Sequence, residues 1–126
     1  MSKNSFSKAE RLKSVSLISK LFLEGKTLFK YPIKIVYIPL DKSNYPVHFG
    51  VSVSKKRFKK AVQRNRIKRL LKEAYRTQKE PLWKVIKHKN KNSYAVMAIF
   101  VGNEELPLSI IGKSMKHLLK MLEKQI

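Results

Sequence analysis

Apolar positions recur along this chain with two periods, and the switches between them mark out the elements. Leu17, Ile18, Leu21 and Phe22 repeat at helical spacing. They predict an amphipathic helix of about ten residues, with the Ser14 hydroxyl placed to cap it. Gly25 stands where a helix stop favours a residue tolerant of positive φ. Ile33 to Leu40 is rich in β-branched and aromatic side chains and reads as a strand, with Pro39 making its end an edge or exit. After a turn over 41–46, Val47 to Ser54 alternates. Val47, Phe49, Val51 and Val53 point one way; His48, Gly50, Ser52 and Ser54 point the other. The short connection between these two strands suggests an antiparallel hairpin.

Residues 62–77 read as the main helix. Ile67, Leu70, Leu71, Ala74 and Tyr75 cluster on one side, and Asn65, Arg66, Lys68, Arg69, Lys72 and Arg76 occupy the other. A short helical turn through Leu82, Trp83 and Ile86 follows Pro81, and 87–92 reads as a basic loop. Tyr94 to Val101 is a continuous apolar run, the pattern of a strand covered on both faces. Pro107 suits the first turn of a last helix whose core stripe is Leu108, Ile111, Met115, Leu118, Leu119 and Leu122. The order α-β-β-α-β-α predicts an α/β (α+β) two-layer sandwich with a small mixed sheet. The length suits one domain over 1–126, with 1–7 as a flexible lead-in. If the second and third strands are parallel neighbours, generic rules make the crossover between them right-handed.

Charge changes the picture most. The chain has 29 Lys+Arg against 8 Asp+Glu, a net charge of +21. Such a field repels itself in the folded state unless a polyanion offsets it, so nucleic acid is the expected partner, with an anionic membrane surface as the rival. No apolar run is long enough to span a bilayer, and the polar start Met1-Ser2-Lys3-Asn4-Ser5-Phe6 lacks a signal-peptide core. There is no cysteine, which excludes disulfides and thiolate metal sites. These features fit a cytoplasmic protein.

The cations concentrate in residues 55–76, where 11 of 22 are Lys or Arg and Glu73 alone opposes them. Lys55, Lys56, Arg57, Lys59 and Lys60 fill a loop; Arg66, Lys68, Arg69, Lys72 and Arg76 then stripe a helix face. Neighbours on such a face lie about 5–6 Å apart, a spacing suited to successive phosphates on a strand. Arginine adds bidentate phosphate contacts. Asn65 could cap the loop, or touch a base or a 2′-hydroxyl. The bland alternative is a solvated helix face, which like charges one turn apart disfavour.

The run Phe49-Gly50-Val51-Ser52-Val53-Ser54-Lys55-Lys56, followed by Ala61-Val62-x-Arg64-Asn65-Arg66-Ile67-Lys68-Arg69, closely resembles the signature of the bacterial ribonuclease P protein family. Arg11-Leu12-Lys13 and Ile18-x-x-Leu21-Phe22-x-x-Gly25 resemble that family's first helix, and the likeness covers roughly residues 8–122. There are two departures. Lys59 or Lys60 stands where the family has a loop glycine, which leaves the loop's conformation open, and Ile18 replaces the first of two phenylalanines.

The resemblance implies a ribosomal protein S5 domain 2-like fold with a left-handed crossover, against the generic rule. It implies a subunit of an endonuclease that removes the 5′ leader of precursor tRNA, with the catalytic groups and Mg2+ held mainly by an RNA subunit. It implies RNA-subunit binding by Lys60, Arg64, Asn65, Arg66, Lys68, Arg69, Lys72 and Arg76. A leader cleft would use Ile18, Phe22, Val36, Ser52, Ser54, Lys55 and Lys56. The partners are then ribonuclease P RNA and precursor tRNA, with no membrane and no required protein partner.

The residues independently support an absence of protein catalytic groups. A protein nuclease needs a general base or clustered carboxylates, yet Asp41 is the one aspartate and Glu104-Glu105 the one acidic pair. That pair reads as charge at a helix N-terminus. His48, His88 and His117 lack ligand spacing and read as structural or surface residues. A structural RNA-binding protein of ribosomal type would explain the charge but not the Arg64-Asn65-Arg66 context. A helix-turn-helix DNA binder would want two adjacent helices, where strands are expected on both sides of the basic one.

Overall fold

The computed structural model describes Phe6 and residues 10–126; the expected flexible lead-in, Phe6 apart, lies outside the described residues. Among these, four helices and one four-stranded sheet form in the order α1 (Val15–Glu24), β1 (Lys26–Lys30), β2 (Ile33–Asp41), β3 (Val47–Val53), α2 (Ala61–Arg76), α3 (Glu80–Lys89), β4 (Asn92–Phe100) and α4 (Leu108–Gln125). Ser14 caps α1 as expected, its Oγ accepting from the Leu17 amide at 3.3 Å. Gly25 ends the helix for a different reason from the one its sequence position suggested. Its φ is −67°, ordinary extended backbone. A Cβ there would lie inside 3.0 Å of the Leu21 carbonyl and the Val36 side chain, so close packing requires the glycine.

The sheet order is β1-β2-β4-β3. The hairpin expected between β2 and β3 does not form. Instead β4 lies between them, antiparallel to β2 and parallel to β3. The cause is burial: β4 is apolar on both faces and takes an interior position, while β3 carries His48, Gly50 and Ser52 on one face and tolerates an edge. β1, absent from the sequence reading, pairs antiparallel with β2 across the Tyr31-Pro32 turn. Its residues are mostly exposed, so it carries no core signature.

α3 is longer than the single turn expected, and 87–89, read as loop, are its last turn. Lys87 and Lys89 favour the helix C-terminus, and Asn90 stops the helix in the left-handed conformation at φ 54°. Helices α2, α3 and α4 cover one sheet face, where Ile67, Leu71, Tyr75, Ile86, Met115 and Leu118 bury Ile35, Phe49, Val96 and Phe100. α1 covers part of the other through Leu21, seated on Val36, Ile38, Ala95 and Met97.

The segment before α1 ties down the free edge of β3. The Leu12 amide donates to Phe49 O at 3.0 Å, and Phe6 packs edge-on against Phe49 and Tyr75, which stack at 3.9 Å. Glu10, with no exposed surface, accepts from the Lys79 ammonium at 2.5 Å, and Lys79 lies over the Trp83 ring.

Candidate nucleic-acid interface

Two surfaces meet at the loop after β3. The first is the solvent side of α2. Asn65, Arg66, Arg69 and Lys72 are exposed there with Lys60 at the N-cap, while Arg64, Lys68 and Arg76 are half-buried. The loop that aims this helix needs no glycine. Among the described non-glycine residues only Asn90 has positive φ, and Lys60 sits at φ −82°.

Side chains do the fixing. Arg64 Nη1 donates to the carbonyls of Phe58 (2.7 Å) and Lys59 (2.9 Å), and Ser54 Oγ accepts from the Lys56 amide at 3.1 Å. Arg57 donates to the Val101 carbonyl and to Asn103, and Phe58 is buried against Phe100. Arg64 thus spends part of its guanidinium on the loop. Asn65 takes no part in capping, since Lys60 holds that position.

Two acids temper the stripe. Glu105 accepts from Arg66 at 2.7 Å and from Gln63 at 3.4 Å. Its reading as helix N-terminal charge is therefore corrected, because α4 begins at Leu108 with no acid in its first turn. Glu73 pairs with Arg76 at 2.5 Å. That hydrogen bond holds the Glu73 carboxyl below its ordinary range, outweighing the opposing effect of desolvation, and raises the guanidinium's own pKa.

The second surface is the sheet face under α1. Strand register puts Phe29 of β1, Lys34 of β2, Ile99 of β4 and Ser52 of β3 in one row across that face. Phe29 is 56% exposed and the other three are half-buried. The neighbouring row is covered except at Thr27: Val36 is 5% exposed beneath α1, and Leu12 lies against Gly50. Phe22 stands on α1 at 55% exposure, and Ile18 packs half-buried against the small core. Lys55 and Lys56 are exposed just past β3.

Of the expected cleft residues, Ile18, Phe22, Ser52, Lys55 and Lys56 offer surface, Val36 is floor, and Ser54 holds the turn. His48 is engaged by Ser43 Oγ at 3.2 Å. Phe29, Lys34 and Ile99 were not among the expected cleft residues; strand register, and not local periodicity, brings them together on this face. Among the described residues no three of His, Asp, Glu or Cys cluster as a metal site, and no helix is long and apolar enough to cross a membrane.

A basic helix beside an open, partly aromatic sheet face marks a nucleic-acid-binding α+β protein. The comparisons narrow the class. The Ribonuclease P family pattern matches residues 6–123. The ribonuclease P protein component of Porphyromonas gingivalis is 43% identical over 103 residues, 80% of this chain and 73% of that protein. That of Clostridioides difficile is 37% identical over 116 residues, 91% of this chain and 93% of its own. The solved ribonuclease P proteins of Staphylococcus aureus and Thermotoga maritima superpose with TM-scores of 0.68 at 22% identity. The first covers 91% of this chain and 96% of its own, the second 88% and 96%.

The chain belongs to the ribonuclease P protein family. It has that family's S5 domain 2-like fold and is the protein subunit of the endoribonuclease that matures tRNA 5′ ends. It associates with ribonuclease P RNA. Family membership excludes the ribosomal and helix-turn-helix alternatives; the expected separation of helices does not, since α3 follows α2 directly.

Proposed function

We propose that the two surfaces divide the work. The α2 stripe, Lys60 to Arg76, holds the RNA subunit, and the row Phe29–Lys34–Ile99–Ser52, flanked by Phe22, Ile18, Lys55 and Lys56, takes the 5′ leader of precursor tRNA. The observation that carries this reading is the rigid loop over 54–60, which joins the end of β3 to the start of α2 without a positive φ. RNA gripped by α2 then lies at a fixed distance from a strand on the sheet.

An extended leader suits the sheet row. Phe22 and Phe29 offer ring faces to bases, a contact worth about 1–3 kcal/mol per base and indifferent to sequence. Lys34, Lys55 and Lys56 neutralise its phosphates. Substrate binding across many precursor tRNAs needs that indifference. The catalytic groups belong to the RNA, whose bound Mg2+ supplies activation of the attacking water and charge stabilisation at the scissile phosphate. The chain works as one domain in the cytoplasm, with no membrane and no further protein.

Reconstitution with a bacterial ribonuclease P RNA and a 5′-labelled precursor tRNA, at low Mg2+ and near-physiological salt, tests the division. Joint Arg66→Ala, Arg69→Ala and Lys72→Ala substitution is expected to weaken assembly with the RNA. Joint Phe22→Ala and Phe29→Ala substitution is expected to spare assembly and lower the preference for precursor over mature tRNA about tenfold or more. The reverse pattern would refute the assignment.

A further inference from the structure

The outward side of α4 carries a row of cations that the α2 stripe does not include. Lys113, Lys116, Lys120 and Lys124 are all exposed. At 100° per residue they fall within an arc of about 80° and run about 16 Å along the helix. Like charges one turn apart cost a few tenths of a kcal/mol per pair in the free protein. Among the described residues, none of these four lysines forms an ion pair, although Glu123 lines the groove beside Lys116, Lys120 and Lys124. Glu73 of α2 and Glu105 of the loop leading to α4 are engaged by Arg76 and Arg66.

The row borders a groove. Thr77, Gln78 and Pro81, at the junction of α2 and α3, face Leu119 of α4 across a cavity of about 590 Å³. A second hollow of about 300 Å³ lies between Ala74 and Gly112. Gln78 spans the two helices, its amide donating to Ala74 O at 2.9 Å and Gly112 O at 3.0 Å, so the groove is a fixed feature. A Cβ at Gly112 would meet nothing within 4 Å.

We propose that this face of α4 is a second RNA-docking surface. The four lysines track the phosphates of an RNA strand, and the apolar groove beside them seats one unstacked nucleotide. Two properties favour RNA over an acidic protein: the even, one-turn spacing of point charges along a line, and a base-sized apolar hollow alongside it. The proposal rests on the chain's assembly with ribonuclease P RNA and assigns that RNA a docking site separate from α2.

The test measures binding of the full-length chain to ribonuclease P RNA across a salt series. Lys113, Lys116, Lys120 and Lys124 are changed together to Gln. The slope of log affinity against log salt is expected to flatten by about 3, at about 0.7 for each single-strand phosphate that is no longer neutralised. A control with Lys20, Lys42, Lys84 and Lys91 changed to Gln carries the same net charge and is expected to flatten it by less than half as much. Gly112→Leu, which adds bulk at the lining of the second hollow where a Cβ meets no other atom, is expected to weaken binding at unchanged slope. Absence of RNA binding by the unaltered chain would overturn the assembly reading itself. Normal binding with an unchanged slope in the α4 variant, or equal flattening in the control, would overturn the α4 surface. An inert Gly112→Leu would overturn the nucleotide seat.

Discussion

Removing the Lys79 ammonium is expected to destabilise this protein more than most single substitutions. Lys79 is 2% exposed, its Nζ lies 2.5 Å from Glu10 Oε1, and Glu10 has no exposed surface. Lys79→Met leaves a desolvated carboxylate without its ammonium partner, a change that costs about 3–5 kcal/mol. Loss of the cation over Trp83, 4.4 Å from the ring centroid, adds to this. A chain of this length is stable by about 6–19 kcal/mol at typical values per residue, so the effect is a large share of the whole. Glu10→Met combined with Lys79→Met removes both charges, and is expected to lie within about 1 kcal/mol of the unaltered chain or above it.

Urea unfolding followed through Trp83, the single tryptophan and a neighbour of Lys79, reads both variants. The midpoint should fall in the single variant at constant m and return in the double. The same pair anchors the segment that lays Leu12 over Gly50 and leads into α1. The single variant should therefore also lose precursor discrimination while keeping its salt-dependent grip on ribonuclease P RNA. A cost below about 1 kcal/mol for Lys79→Met, or a double variant as unstable as the sum of its parts, would refute the reasoning.

Gly25→Ala pushes a Cβ into the Leu21 carbonyl and Val36, and should cost about 1–3 kcal/mol, read as a lower melting temperature; a neutral result would remove the close-packing account of this glycine. Tyr75 is a buried phenol whose pKa burial pushes up, against a smaller opposing effect from the Trp83 hydrogen bond. Desolvation also raises Tyr37 and Tyr94. A raised folded pKa means stability that is full below the free phenol's value of about 10 and falls as pH climbs beyond it. Unfolding free energies measured from pH 8 to 11 should therefore decline above about pH 10, and a flat profile contradicts this. Tyr75→Phe should reduce that decline while costing about 1–3 kcal/mol at neutral pH, because Trp83 Nε1, 2.8 Å from the phenol oxygen, loses its acceptor. Glu105→Gln releases Arg66, so RNA affinity should rise and the salt slope steepen by about 1, with stability changed by less than about 1 kcal/mol; an unchanged slope would mean that RNA displaces Glu105 without cost.

How much of this was legible depended on how local each signal is. The α2 stripe and the core stripes of α2 and α4 are readable because helical faces are set by residues three and four apart. β4 as a doubly covered strand follows from its unbroken apolar run. The hairpin reading failed because a six-residue connection says nothing about what a distant strand will insert between its ends. β1 was invisible because Thr27 and Phe29 face an open surface and leave no alternation of buried and exposed residues. The end of α3 was mistaken for loop because Lys87, His88 and Lys89 are solvated in either state. The Glu10–Lys79 pair spans 69 residues and has no sequence signature at all.

The inserted strand is also what joins the two surfaces. Because β3 pairs in parallel with β4, the chain leaves both strands at the same end of the sheet, Val53 opposite Phe100. The loop entering α2 and the loop leading to α4 therefore run side by side, and their contacts follow: Arg57 on Val101 and Asn103, Phe58 on Phe100, Arg66 on Glu105. Ser52, at the open end of the sheet row, is two residues from the start of that loop. The spacing between α2 and the sheet row is thus set by sheet topology, and side chains in the loop only hold what the topology has brought together.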